Sequence, residues 1–187
     1  MVKLSKKTIE FLNNVYIVSL HKFYDNLENE KIDEIKNIIS GNFNISLRLL
    51  DWFVTKYTKT NMVLIPNFNT ENKEDQYINV FISYKSQLKS YTKKFFDPFK
   101  RQPLIDFNFK NSDDEIKTTV GQLLFFKWLY ENNIIEYIKK NTDFLYEKMF
   151  IYFLNDKKKK MNKTIQPTKK SNSFYEFNYS STLIIQI

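Results

Sequence analysis

The side chains whose type and spacing best suit a chemical task lie between Tyr84 and Arg101. They are Lys85, Lys89, Lys93, Lys94, Lys100 and Arg101. Lys85, Lys89 and Lys93 recur at every fourth position, which on a helix sets them along one face. Tyr84, Leu88, Tyr91 and Phe95 follow at spacings of four, three and four and share an adjoining face. Ammonium groups neutralise phosphates, and rings interleaved with them stack on unpaired bases. A second basic cluster, Lys157, Lys158, Lys159 and Lys160, is continued by Lys163, Lys169 and Lys170. The first segment has six positive charges and one acid, net +5; the second has seven and one, net +6. The whole chain carries a formal +8, so the remainder is negative by 3. With 27 lysines against two arginines and no alanine, the composition points to an AT-rich genome, but codon bias alone would spread lysine evenly. The plainer alternative is that Tyr84, Tyr91 and Phe95 are core and the lysines a solvated face, as amphipathic helices commonly show.

Other chemistries lack their residues. With no cysteine there is no disulfide, thiolate nucleophile or thiolate zinc site. His21, the one histidine, has no carboxylate or histidine neighbours in sequence and reads as a packing or surface residue. Gly41 and Gly121, the only glycines, do not make a phosphate-cradling loop. Asp113, Asp114 and Glu115 are adjacent, and consecutive acids do not converge on one ion. Asp51 and Asp97 sit among aromatics near basic groups, but Asp97 precedes Pro98 and reads as a turn residue. These absences lead to the expectation of a non-enzymatic protein with no catalytic residues, metal or cofactor.

The elements that must position the basic residues follow from periodicity. Ser5 can cap a helix to about Asn26, with Ile9, Leu12, Tyr16, Leu20, Phe23 and Leu27 as its stripe. A short helix over 32–40 precedes Gly41, which suits a left-handed cap. A helix from Asn44 or Ser46 to Lys59 has a wide apolar surface and reads as central to the core, with Arg48, Asp51, Lys56 and Lys59 on the rest. Met62–Ile65 reads as a strand and 67–76 as a loop. Tyr77–Tyr84 alternates as a strand, leading into the basic helix, which must stop near Asp97 because Pro98 disfavours helical backbone before it. Leu104–Phe109 alternates again, and 111–115 is an acidic turn. Thr119 and Gln122 are spaced as a capping box ahead of an apolar helix breaking at Asn132–Asn133. A segment holding Ile134, Ile135, Tyr137 and Ile138 follows. Phe144–Leu154 is apolar on nearly every side and is expected to be buried or docked on a partner. From Asp156 a flexible segment or exposed helix end is expected. Thr182–Ile187 has strand character and is expected to pair with a sheet edge. The apolar run Val15–Leu20 is short and lacks a small-residue cleavage site, and no segment reaches the roughly 18 apolar residues of a membrane span, so a soluble intracellular protein is expected, with no membrane partner.

Three stretches, Ser46–Lys59 (SLRLLDWFVTKYTK), Tyr84–Arg101 and Thr118–Tyr137 (TTVGQLLFFKWLYENNIIEY), roughly a third of the chain, resemble an uncharacterised family of nucleocytoplasmic large DNA viruses of the mimivirus type. The resemblance implies a viral setting, in the host cytoplasm (the viral factory) or the virion, and carries no site residue with it.

The expected fold is α+β: a helix-dominated single domain over 1–155 with a small mixed or antiparallel sheet, a basic linker or arm over 156–173 and a terminal strand over 174–187. The expected function is nucleic-acid binding with little sequence specificity. Lys85, Lys89, Lys93, Lys94, Lys100 and Arg101 would form a folded patch and Lys157, Lys158, Lys159 and Lys160 a mobile arm. The alternative is a virion or assembly protein docking on a viral partner chain through the 144–154 helix and the terminal strand. Oligomeric state is left open.

Overall fold

The computed structural model describes residues 6–66, 77–91, 95–99, 101–110 and 115–164, with side chains for those from 14 to 160. Met1–Ile151 forms one compact unit and Tyr152–Ile187 a second. The fold is α+β and helix-dominated. Its order is α1 (Lys6–Tyr24), α2 (Asn29–Ser40), α3 (Leu47–Trp52), a π-helical turn (Phe53–Tyr57), α4 (Thr58–Thr60), β1 (Leu64–Pro66), β2 (Tyr77–Asn79), α5 (Val80–Tyr91), β3 (Ile105–Asn108), β4 (Glu115–Thr118), α6 (Val120–Glu131), α7 (Ile134–Lys140) and α8 (Thr142–Thr164).

The core is built round α6. Every residue of that helix except Lys127 and Glu131 is buried, so it has no solvent face of its own. Tyr24 of α1 is buried against it and donates from its hydroxyl to the Leu123 carbonyl at 2.8 Å. Trp52, Phe53, Leu123, Phe126 and Leu129 are all buried. The α3 helix shares this burial through Leu49 and Leu50, but α6 is the element enclosed on nearly all sides. Helix boundaries follow their chemistry. Ser46 accepts from the Leu49 N–H at 3.1 Å, Gly41 ends α2 at φ 82°, and Asn133 takes φ 53° between α6 and α7.

Among the described residues the antiparallel pairing expected is present as two separate pairs, β1 with β2 and β3 with β4. The predicted strand Tyr77–Tyr84 keeps its strand character only to Asn79. There the Asn79 Oδ1 accepts from the Ile82 N–H at 3.1 Å, starting α5, and Val80 and Tyr84 are buried on one helical face. Alternation and helical periodicity overlap over so short a run, and the cap decides. In the second pair Phe107 lies opposite Ile116 and Asp106 opposite Lys117. The predicted acidic turn therefore gives way at Glu115 to a strand. Phe107 and Phe109 are buried against Tyr24, and His21 stacks on Phe107 with ring centroids 4.5 Å apart.

The predicted helix over 144–154 continues to Thr164, and in it Leu145 is buried while Phe144, Phe150 and Ile151 are exposed. Tyr152 and Leu154, in the second unit, are exposed as well. The expected terminal strand, the loop over 67–76, the arm beyond Thr164 and the stripe residues Ile9 and Leu12 lie outside what is described.

Candidate functional site

One groove, about 830 Å³ in volume, brings Lys85 and Arg101 together with Asp51, Asp97, Lys56 and Lys59. Its first wall is the end of α3 and the π turn. In that turn the Thr58 N–H reaches the Phe53 carbonyl, and Thr55 and Thr58 hydroxyls donate to the Asp51 and Val54 carbonyls at 2.6 and 3.0 Å. Bonds of the i→i+5 kind bring residues about five apart into line, so Asp51 and Lys56 border the same space, with Lys59 beyond. Lys56 and Lys59 are exposed. An ideal α-helix would have turned Lys56 well away from Asp51.

The second wall is α5. Tyr84 is 8% exposed, its ring packed on Phe96 and Trp128, and Trp128 Nε1 donates to the Ser83 hydroxyl at 3.0 Å. Lys85 is exposed at the groove, its ammonium 5.9 Å from the centre of the Phe81 ring. Lys89, one turn on, is exposed but does not border the groove. Among the described residues Lys56, Lys59 and Lys85 make no ion pair.

The segment after α5 closes the groove. Phe95 and Phe96 are buried and anchor it, Phe96 stacking parallel to Tyr91 at 6.0 Å. Asp97 then serves as the turn residue expected, its Oδ1 accepting from the Phe99 N–H at 3.4 Å. Arg101 Nε lies 3.7 Å from Asp97 Oδ2, and its guanidinium sits over the Phe99 ring at 4.9 Å. This loop is held from below. Gln122 donates to the Pro98 carbonyl at 2.7 Å, and a β-carbon on Gly121 would stand 3.3 Å from the Asp97 nitrogen. The Thr119–Gln122 cap is therefore half a capping box. Thr119 accepts from the Gln122 N–H at 3.1 Å, but the Gln122 side chain turns to Pro98 and to the Thr118 hydroxyl rather than back to the cap.

Electrostatically the site is mixed. Burial, and after it the Asp51 and Asp97 carboxylates, push the Tyr84 hydroxyl up to about 12. A phenol flanked by two carboxylates resists ionisation because a third negative charge would face them.

Of the predicted patch, Lys85 and Arg101 meet at the groove, Lys89 stands on the same helix, and Lys93, Lys94 and Lys100 lie outside the described residues. Lys56 and Lys59 are not part of the predicted patch; they lie on the polar side of the predicted 44–59 helix, and the π turn brings Lys56 beside Asp51. Lys157, Lys158, Lys159 and Lys160 are exposed on α8. They lie on an exposed stretch of helix, one of the two readings of this segment, and Lys160 is paired with Asp156 at 2.7 Å. Among the described residues no three His, Cys, Asp or Glu side chains come together to hold a metal, and no helix is long and apolar enough to cross a membrane.

A helix-dominated α+β protein with a groove lined by aromatic rings and charges of both signs is the class the structure defines. The chain belongs to the family of unknown function DUF7197, whose model matches residues 4–185. It is 31% identical over 156 residues to an uncharacterised protein of Acanthamoeba polyphaga mimivirus, a relation covering 81% of this chain and 60% of that protein. The chain thus spans less than two thirds of that relative's length. The resemblance to an uncharacterised giant-virus family is confirmed. No solved structure matches.

Proposed function

We propose that this is a non-enzymatic viral protein that binds nucleic acid through the groove between the π turn and α5, by phosphate contacts with little sequence choice. The observation that carries this reading is convergence. Lys56 comes from the π turn, Lys59 from α4, Lys85 from α5 and Arg101 from the segment after α5, and all border one aromatic-walled groove. Ammonium groups held along a groove release counterions from a phosphate backbone, while the adjoining rings tolerate any base. Asp51 and Asp97 reduce the local excess of positive charge, so binding of moderate strength is expected.

The test is the salt dependence of binding to mixed-sequence oligonucleotides. With about three lysine–phosphate contacts, log affinity should fall against log salt with a slope near −2 to −3. Replacing Lys56, Lys59 and Lys85 together by glutamine should remove most of that slope and leave the circular dichroism spectrum unchanged. No binding at about 50 mM salt, or a slope indifferent to the triple substitution, would refute the reading.

Assembly is the second reading, and a separate observation favours it: Phe144, Phe150 and Ile151 are exposed apolar side chains on α8. Sedimentation of the chain and of a Phe150→Ser, Ile151→Ser variant compares the two. Oligomers in the parent that vanish in the variant support assembly.

A further inference from the structure

A groove that met only phosphates would keep carboxylates out, yet Asp51 and Asp97 both border this one. Between them stands Tyr84. Its ring packs against Phe96 and Trp128, while the residue lines the groove and its hydroxyl makes no hydrogen bond to any described residue. The residue is more than nine-tenths buried while its hydroxyl stays accessible, so an incoming ligand can bond it without displacing a protein partner. Depth separates the two chemistries. Tyr84 is buried and the Asp97 side chain is 13% exposed, whereas Lys56, Lys59 and Lys85 are exposed at the rim. The matching ligand is anionic outside and rich in hydrogen-bond donors inside.

Resting on the nucleic-acid reading above, we propose that the groove seats an unpaired, amino-bearing base (guanine, adenine or cytosine) of a single strand, its edge donors facing Asp51, Asp97 and the Tyr84 hydroxyl and its phosphates facing Lys56, Lys59 and Lys85. A carboxylate only accepts, so it selects edges carrying NH₂ groups. Thymine and uracil present one N–H between two carbonyl oxygens, which a carboxylate repels. Asp97 already accepts from the Phe99 N–H and lies near Arg101, but its two oxygens have about four acceptor sites, leaving room for a base. Single strands are selected because a duplex hides these edges in pairing. The volume, about 830 Å³, lies within the usual range for small-ligand sites.

The experiment is fluorescence anisotropy of the full chain with three labelled 12-nucleotide DNAs: all thymine, thymine with four central cytosines, and the duplex of the latter. The cytosine-bearing strand should bind about 5- to 10-fold tighter than all-thymine and tighter than the duplex, as a charge-assisted hydrogen bond allows. Asp51→Asn should bring the preference below about 2-fold while the salt slope stays the same. Tyr84→Phe should shrink the preference too, with the melting temperature unchanged or raised, because the hydroxyl serves no protein partner. Equal binding of the two strands by the unaltered protein, or a preference that survives Asp51→Asn, overturns the proposal. If Tyr84→Phe instead lowers the melting temperature, the hydroxyl is structural and Asp51→Asn alone decides. Absence of all binding refutes the broader reading as well, whereas salt-dependent binding without preference refutes only this one.

Discussion

Gln122 donates from Nε2 to the Pro98 carbonyl at 2.7 Å while its Oε1 accepts from the Thr118 hydroxyl at 2.8 Å. One buried amide thus ties the loop carrying Asp97 to the junction of β4 and α6. Both partners are themselves buried, so neither turns to water when the amide is removed. Gln122→Ala is expected to cost about 2–3 kcal/mol in urea unfolding, the penalty for stranding buried polar groups. A loss below about 0.5 kcal/mol would show that the loop is held by its phenylalanines alone.

Gly121 makes the same junction possible sterically. Its position admits no larger group without moving the backbone of 95–97, since an added β-carbon already stands 3.3–3.5 Å from three backbone atoms. Gly121→Val is expected to destabilise by about 1–3 kcal/mol through overpacking. Thermal unfolding checks it, and an unchanged melting temperature would show that the loop yields freely.

The core gives a simpler expectation. Phe126 is fully buried and Trp52 nearly so, and alanine at either should cost about 3–5 kcal/mol. Ile82, 66% exposed, serves as the control: Ile82→Ser should stay within about 0.5 kcal/mol. Equal losses at all three sites would misplace the core.

Alkaline pH should report on the groove. The Tyr84 pKa rises from 10.0 to about 12 on folding, so the folded state holds this proton after the unfolded chain has released it. Its contribution is whole below pH 10 and is lost as the pH climbs to about 12. By linkage that loss is at most about 2 kcal/mol, solvent screening of the part-exposed hydroxyl reducing it. Tyr84→Phe should remove this part of the alkaline decline and leave the parts due to Tyr24 and Tyr130, which burial also raises. A decline of unchanged depth in the variant would contradict the assignment.

Much of this molecule is legible in its residues. The caps at Ser46 and Gly41, the break at Asn132–Asn133, the Asp97 turn and the burial of Trp52, Phe53, Leu123, Phe126 and Leu129 follow from local chemistry and apolar spacing. Such features depend on neighbours within a few residues, and those are written in order along the chain. The extent of α5 is not written so plainly, because Tyr77–Tyr84 fits alternation and a helical face alike and only the Asn79 cap separates them.

What the sequence by itself determined is the class: a helix-dominated α+β chain, basic in clusters, without the residues for thiolate chemistry or a glycine-rich phosphate loop. Tertiary structure alone decided where the charges meet. Lys56 and Lys85 are 29 positions apart, and they share a groove because a π turn shifts one wall by a residue and Gln122 and Gly121 hold the loop beside it. The half-used capping box is the same lesson in one residue. The spacing of Thr119 and Gln122 sets the cap, but a carbonyl 24 positions away competes for the Gln122 amide and wins it, because a buried acceptor has no water to turn to.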